Sequence, residues 1–183
     1  MLLREPKEKD AQGMLSWMHA PETKEIFAND FASFTLEKVL NFIRHANDDD
    51  HNKNFVCVDD DDYYLGTVSL KNIDYSSKNA EYAVSFCPAA QGTGAAKYAT
   101  EEILKYAFET LQLERVYLNV ISDNVRANKF YKKMGFVYEG EFRKHILING
   151  TLRDLCWYSM LKSEYNVKIA YDGSKGDIQN DKV

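Results

Sequence analysis

Between Glu81 and Ile121 the hydrophobic period of the chain switches from that of a strand to that of a helix and back, and this alternation restricts the fold more than any other feature. Glu81 to Phe86 reads as a strand, and Pro88 then stops ladder pairing because it has no N–H to give. Ala96, Ala99, Ile103, Ala107 and Leu111 recur at helical spacing, and Val116 to Ile121 is a β-branched run. Strand, helix and strand within about forty residues make a βαβ unit, so the two strands are expected to be parallel and joined right-handedly. The fold class that follows is α/β.

The flanking segments add elements around that unit. A short strand near Leu2 to Glu5 precedes a helical stripe at Ala11, Met14, Leu15 and Met18, with Asp10 placed to cap it. A second stripe, Leu36, Val39, Leu40 and Ile43, starts after the cap residue Thr35 and runs out at Asn47-Asp48-Asp49-Asp50. Between these helices lies an aromatic-rich connection, Pro21 to Phe34. Asn54 to Val58 and Tyr63 to Leu70 read as strands joined by Asp59-Asp60-Asp61-Asp62. That turn lacks the spaced ligands, central glycine and closing glutamate of a calcium loop, and is expected to be a solvated turn.

Downstream, Asn124 to Met134 is a short helix ending at Gly135, which suits a left-handed C-terminal cap. Phe136 to Ile148 and Thr151 to Lys162 flank Asn149-Gly150, a strong two-residue hairpin signal. Asn166 to Val183 is polar, carries Gly173, Ser174 and Gly176, and is expected to be loose. The domain is therefore placed at residues 1–165 and a flexible tail at 166–183.

Composition excludes several classes. Twenty-three Lys and Arg stand against 28 Asp and Glu, a net charge of −5, and with a pI near 5.4 this argues against a protein built to hold nucleic acid. The N-terminus turns charged within a few residues and no stretch approaches the ~18 apolar residues of a membrane span, so a cytoplasmic protein without membrane attachment is expected. Cys57, Cys87 and Cys156 are widely spaced and match neither a disulfide framework nor a Cys-x-x-Cys metal site, so they are expected to be reduced and buried, with no metal bound.

Two segments carry chemistry. Gln91-Gly92-Thr93-Gly94-Ala95-Ala96 lies between a strand and a long helix, where backbone N–H groups lack partners and the helix dipole favours an anion. No Gly-Lys-Ser/Thr follows, and Lys97 stands where a third glycine would complete a dinucleotide fingerprint. By itself the glycine pair is equally a tight turn into a helix. The second segment is Asn124-Val125-Arg126-Ala127-Asn128-Lys129-Phe130-Tyr131-Lys132-Lys133-Met134-Gly135-Phe136, by itself an amphipathic helix with Tyr131 packed in the core.

Together the two segments resemble the GNAT superfamily of acetyl-coenzyme A dependent N-acetyltransferases. The family's pyrophosphate loop, Gln/Arg-x-x-Gly-x-Gly/Ala, is matched by Gln91, Gly94 and Ala96. Its later signature, Asn-x-x-Ala-x-x-x-Tyr-x-x-x-Gly-Phe, is matched by Asn124, Ala127, Tyr131, Gly135 and Phe136. The resemblance runs from Leu2 to about Tyr165. It implies a single domain with a mixed, mostly antiparallel sheet, a splayed parallel central strand pair and helices on both faces.

It also implies a site. Ser85, Phe86 and Cys87, at the end of the strand before the loop, would line the pantetheine arm of acetyl-CoA, and the backbone of Gln91, Gly92, Thr93, Gly94, Ala95 and Ala96 would hold its pyrophosphate. Asn124 would hydrogen-bond the arm. Tyr131 would serve as general acid toward the departing thiolate, a role whose loss costs about 10²–10⁴-fold in rate. The attacking amine must first lose a proton. Glu81 is the named candidate base beside Glu25, Asp30, His145 or a water chain, and no spacing argument selects among them.

The acceptor region implied by the resemblance is Pro21 to Phe34 with Arg143 to Arg153. A polyamine would want carboxylates such as Glu25 and Asp30, whereas a nucleotide-linked amino sugar would want Arg143, Lys144 or Arg153 on its phosphates. A protein N-terminus of the ribosomal-protein type is the other acceptor class, and a non-catalytic acyl-CoA-binding module remains open. A homodimer through the last strands is also implied.

Overall fold

The computed structural model describes residues 1–27, 29–167 and 169. In chain order the elements are β1 (Leu2–Arg4), α1 (Ala11–Met18), α2 (Thr23–Ile26), α3 (Leu36–Arg44), β2 (Lys53–Val58), β3 (Tyr64–Asp74), β4 (Asn79–Phe86), α4 (Ala95–Lys105), β5 (Arg115–Ile121), α5 (Val125–Met134), β6 (Val137–Ile148) and β7 (Thr151–Leu161). The seven strands form one sheet in the order β1-β2-β3-β4-β5-β7-β6. Every neighbouring pair is antiparallel except β4 and β5, which are parallel as the βαβ reading requires.

Strand alternation sorts the side chains onto two faces. On one face Val68, Leu70, Tyr82, Val116, Leu118 and Tyr158 pack under α4 and α5, against Ala99, Ile103, Tyr131 and Met134. On the other, Val56 and Val58 meet the stripe of α1 and α3, namely Ala11, Met14, Trp17, Val39 and Ile43. Thr35 caps α3 as expected, its hydroxyl accepting from the Lys38 N–H at 3.3 Å, and Gly135 ends α5 at φ 94°.

Several local expectations are corrected. Asp10 does not cap α1; a 3-10 turn at Glu8–Asp10 precedes that helix. The carboxylate instead accepts from the Lys7 N–H at 2.7 Å and from both Arg4 terminal nitrogens at 2.8 Å. The acidic turn is not simply solvated. Asp62 pairs with Arg4 and Lys9, and Asp60 with the N-terminal ammonium, so the turn fastens β1 to the β2–β3 hairpin. The α4 stripe does not stay α-helical to Leu111; Tyr106–Thr110 widen into a π turn.

Strand β6 is interrupted twice opposite β7, between Tyr138 and Gly140 and between Phe142 and Ile146, so Arg143, Lys144 and His145 leave the ladder. All three cysteines are free thiols, with Cys57 and Cys156 buried and Cys87 half-buried rather than buried. The chain continues as helix over residues 162–167, past the boundary placed at 165. Tyr165 stacks on Phe108 at 5.0 Å and donates to Glu109 at 2.8 Å. Apart from Ile169, the rest of the expected loose tail lies outside the described residues. Among the described residues no helix is long and apolar enough to cross a membrane.

Candidate functional site

The parallel pairing of β4 and β5 is short: Asn79 pairs with Arg115, Ala80 with Val116 and Glu81 with Tyr117, and there it stops. From Tyr82 onward the strands part, while β4 stays paired to β3 as far as Phe86 and β5 to β7 as far as Ile121. The result is a wedge-shaped gap in the middle of the sheet. Cys87 donates its N–H to Leu65 at 2.9 Å, so alternation turns the N–H of Ser85 toward β3 as well and those of Val84 and Phe86 toward the gap. Of the three residues expected to line the arm, Phe86 thus presents its backbone donor to the gap, Val84 joins it, and Ser85 and Cys87 do not.

Beyond β4 a turn at Pro88–Ala90 leads into the glycine loop. Gly92 and Gly94 adopt φ of 77° and 85°, the left-handed region where side chains are strained, and Gly94 is the residue from which α4 starts. A Cβ at either would meet nothing within 4 Å, so conformation rather than crowding requires glycine there. The Gln91 and Thr93 N–H groups close turns onto Pro88 and Ala90, and that of Ala95 meets the Thr93 hydroxyl at 3.3 Å. The N–H groups of Gly92, Gly94, Ala96 and Lys97 have no partner among the described residues, which is the donor set an anion at a helix start needs.

Tyr131 lies on the α5 face of the sheet, its ring 6.2 Å from those of Tyr82 and Tyr158 and 6.0 Å from that of Phe136. The residue is 8% exposed. Its hydroxyl has no hydrogen-bond partner among the described residues, yet it is not among the sealed polar atoms, where only the Trp157 Nε1 is found. Burial pushes the phenol up to about 12. Against a thiol near 8.5, full proton transfer would then be uphill by about 3.5 pKa units, roughly 5 kcal/mol. The phenol therefore keeps its proton and can donate a hydrogen bond.

Asn124 is the N-cap of α5: its Oδ1 accepts from the Ala127 N–H at 3.1 Å. Only its amide donors are left for a ligand. Glu81 projects from the face opposite Tyr131, because its neighbour Tyr82 packs against Tyr131 and successive strand side chains alternate. Its carboxylate accepts from Asn72 Nδ2 at 2.9 Å and from Asn119 Nδ2 at 3.3 Å, and it sits where the gap closes. The other candidate bases lie elsewhere. His145 stacks on Phe142 in the interrupted part of β6, and Glu25 accepts from Asn149 at 3.4 Å at the hairpin tip.

Asp30 lines a cavity of about 340 Å³ with Phe27, Phe31 and Asn149, between the α1–α3 connection and the β6–β7 turn. Of the cations considered for phosphates in the acceptor region, Arg153 is paired with Asp123. The Lys144 N–H is bound by Asp154 at 2.6 Å.

A second cavity, of about 500 Å³, runs from Phe86 along the glycine loop to α5. Arg126, Phe130 and Lys133 form its α5 wall and Lys97 and Glu101 its α4 side. Of these the sequence marks only Lys97, and only as the residue that breaks a dinucleotide fingerprint; the i, i+4, i+7 spacing of Arg126, Phe130 and Lys133 places them on one helix face.

Comparison with known proteins agrees with this geometry. Residues 1–137 match the family model described as acetyltransferase (GNAT) domain. The chain is 33% identical over 140 residues to spermidine N(1)-acetyltransferase of Vibrio cholerae, covering 76% of this chain and 79% of the relative. It is 33% identical over 100 residues to the putative ribosomal N-acetyltransferase YdaF of Bacillus subtilis, covering 55% of each. The crystal structure of spermidine N-acetyltransferase from V. cholerae with CoA and spermine superposes with a TM-score of 0.81 at 26% identity, over 90% of this chain and 96% of that one.

Proposed function

The chain belongs to the GNAT acetyltransferase family, and from that premise we propose that it moves an acetyl group from acetyl-CoA to a primary amine by direct attack within a ternary complex. The observation that carries this reading is the gap between β4 and β5 with the Val84 and Phe86 N–H groups turned into it, continuous with the unpartnered N–H groups of the glycine loop. The fit is specific: a pyrophosphate matches the loop, and an extended amide-bearing arm matches an unpaired strand edge. Bound there, acetyl-CoA supplies an activated thioester.

The chain's own residues then have separate tasks. An N–H on the gap side of β4 donates to the thioester oxygen, where negative charge grows as the amine attacks. The Tyr131 hydroxyl donates to the sulfur from the α5 face. Glu81, on the other face, takes the ammonium proton directly or through water. The catalytic unit runs from residue 1 to the helix over residues 162–167, and the edge strand β6, with Val137, Tyr138, Phe142 and Leu147 exposed, is where a second copy would join.

The acceptor we favour is a small polyamine. Asp30 beside Phe27 and Phe31 offers a carboxylate and aromatic faces to an alkylammonium, and the V. cholerae relative is named for spermidine. A sugar nucleotide fits less well because Arg153 is already paired with Asp123. The test is thiol release from acetyl-CoA with spermidine, an N-terminal peptide and an amino sugar nucleotide in parallel. Release driven by spermidine supports the reading. Release driven only by the peptide moves the acceptor to protein N-termini, and binding of acetyl-CoA without release for any amine leaves an acyl-CoA-binding module.

A further inference from the structure

Tyr117 on β5 and Trp157 on β7 are half-buried aromatic side chains that belong to none of the buried apolar clusters. Their neighbours Leu118 and Tyr158 pack on the α5 face, so alternation turns both rings to the face that carries Glu81. The two ring centroids are 6.2 Å apart with planes inclined by 30°, and Phe142 lies 5.2 Å from Trp157 on the far side. Parallel pairing stops at Glu81 and Tyr117; two residues on, level with the open gap, Asn119 pairs with Trp157. An aromatic strip thus leads from the gap across β7 to β6.

Trp157 carries a cost that packing does not explain. Its indole N–H is sealed from solvent and is the one buried side-chain polar atom among the described residues without a hydrogen-bond partner. A Leu or Phe would occupy the same place without stranding a donor. Such a local violation marks a side chain that serves something other than stability. The surrounding charges define what that is. Arg115 lies 5.8 Å over the Tyr117 ring and is bound through both terminal nitrogens to Glu139, so that cation and that carboxylate satisfy each other. Glu81 accepts only from the neutral amides of Asn72 and Asn119. An uncompensated carboxylate at the inner end of an aromatic strip suits an alkylammonium.

Resting on the reading of the acceptor as a small polyamine, we propose that Trp157 seats the second ammonium of the acceptor while the reacting amine lies in the gap beside Glu81, so that the enzyme selects polyamines over monoamines. Neighbouring strands lie about 4.8 Å apart, which puts the indole one strand beyond the β5 edge of the gap and within reach of about three or four methylenes. Of the aromatic rings, indole attracts a cation most strongly. The seat is separate from the Asp30 cavity, which adjoins the β6–β7 turn, about 20 Å from Trp157 along β7 at about 3.3 Å per residue. One short chain cannot occupy both.

The test measures kcat and KM of the full chain for spermidine, butylamine and propylamine at saturating acetyl-CoA, in the parent, W157L and W157F, with acetyl-CoA affinity and melting temperature alongside. The parent should prefer spermidine to either monoamine. W157L keeps an apolar side chain but removes the ring, and should raise the spermidine KM about 3- to 30-fold, the range of a cation over an aromatic face. Its kcat, its monoamine KM values and its acetyl-CoA affinity should stay unchanged, and W157F should keep part of the preference. Should W157L fail to fold, W157F decides: a rise in KM confined to spermidine upholds the seat, and its absence overturns it. A preference unchanged in W157L overturns the seat and leaves the polyamine reading intact. An equal rise for all three amines overturns it too, since Trp157 would then only shape the face. A parent that turns over monoamines as well as spermidine, or releases thiol with none of the three while binding acetyl-CoA, overturns the seat together with the polyamine reading.

Discussion

Glu81 and Tyr131 lie on opposite faces of the sheet, separated by the gap that opens after Glu81 pairs with Tyr117. An amine approaching from the α1–α3 face meets the carboxylate, and a sulfur on the α5 side meets the phenol. On the proposed function the carboxylate and the phenol therefore need not share a pocket.

Replacing Tyr131 by Phe should lower kcat by about 10²–10³-fold, the cost of losing one fixed hydrogen-bond donor to developing negative charge rather than a proton transfer. The melting temperature should hold or rise slightly, because the hydroxyl has no partner to lose among the described residues. With the phenol pushed up to about 12, its neutral form is the one present below that pH. A fall in kcat between pH 8 and 10 would thus belong to another group. Turnover and melting of Y131F, with a pH–rate profile of the parent, check both points.

E81Q should reduce turnover with acetyl-CoA binding unchanged. Its deficit should shrink as pH approaches the amine's own pKa near 10, where the acceptor arrives already deprotonated. A deficit that stays constant across pH would point to a structural role through Asn72 and Asn119.

G94A places a side chain in open space but at φ 85°. A cost of about 1 kcal/mol in stability is expected from the backbone alone, together with weaker acetyl-CoA binding because the N–H groups it aims are displaced. Denaturant melts with and without ligand separate the two effects.

Asp62 links acid stability to the N-terminal clamp. Lys9, and then Arg4, hold its carboxyl down to about 2, whereas in the unfolded chain it titrates near 3.9. A depressed native pKa means stability fully present above about pH 4 and lost as pH falls through about 2. Melting temperatures of parent and D62N should therefore differ at neutral pH and converge between about pH 4 and 2; a constant difference would contradict the linkage.

The order of elements could be read along the chain because each carried its own period: the α4 stripe, the β5 run and the Asn149-Gly150 turn are local signals. Glu81 was found as a strand carboxylate, but its partners Asn72 and Asn119 come from other strands, and no local pattern announces them. The same holds for Asp62, whose cations Arg4 and Lys9 are far away in sequence. Arg126 and Lys133 escaped for a different reason. A charged residue at helical spacing looks the same whether it faces water or a ligand, and only the cavity distinguishes the two. The interruption of β6 at Arg143 to His145 and the π turn after α4 both depend on what the neighbouring element presents.

The most direct measurement is the initial rate of thiol release by the full chain with acetyl-CoA and spermidine varied together. Direct transfer across the gap predicts amine-dependent release matched by acetylated amine, with double-reciprocal lines that intersect. Parallel lines would require an acetylated protein intermediate. Absence of amine-dependent release with acetyl-CoA bound would contradict the account altogether.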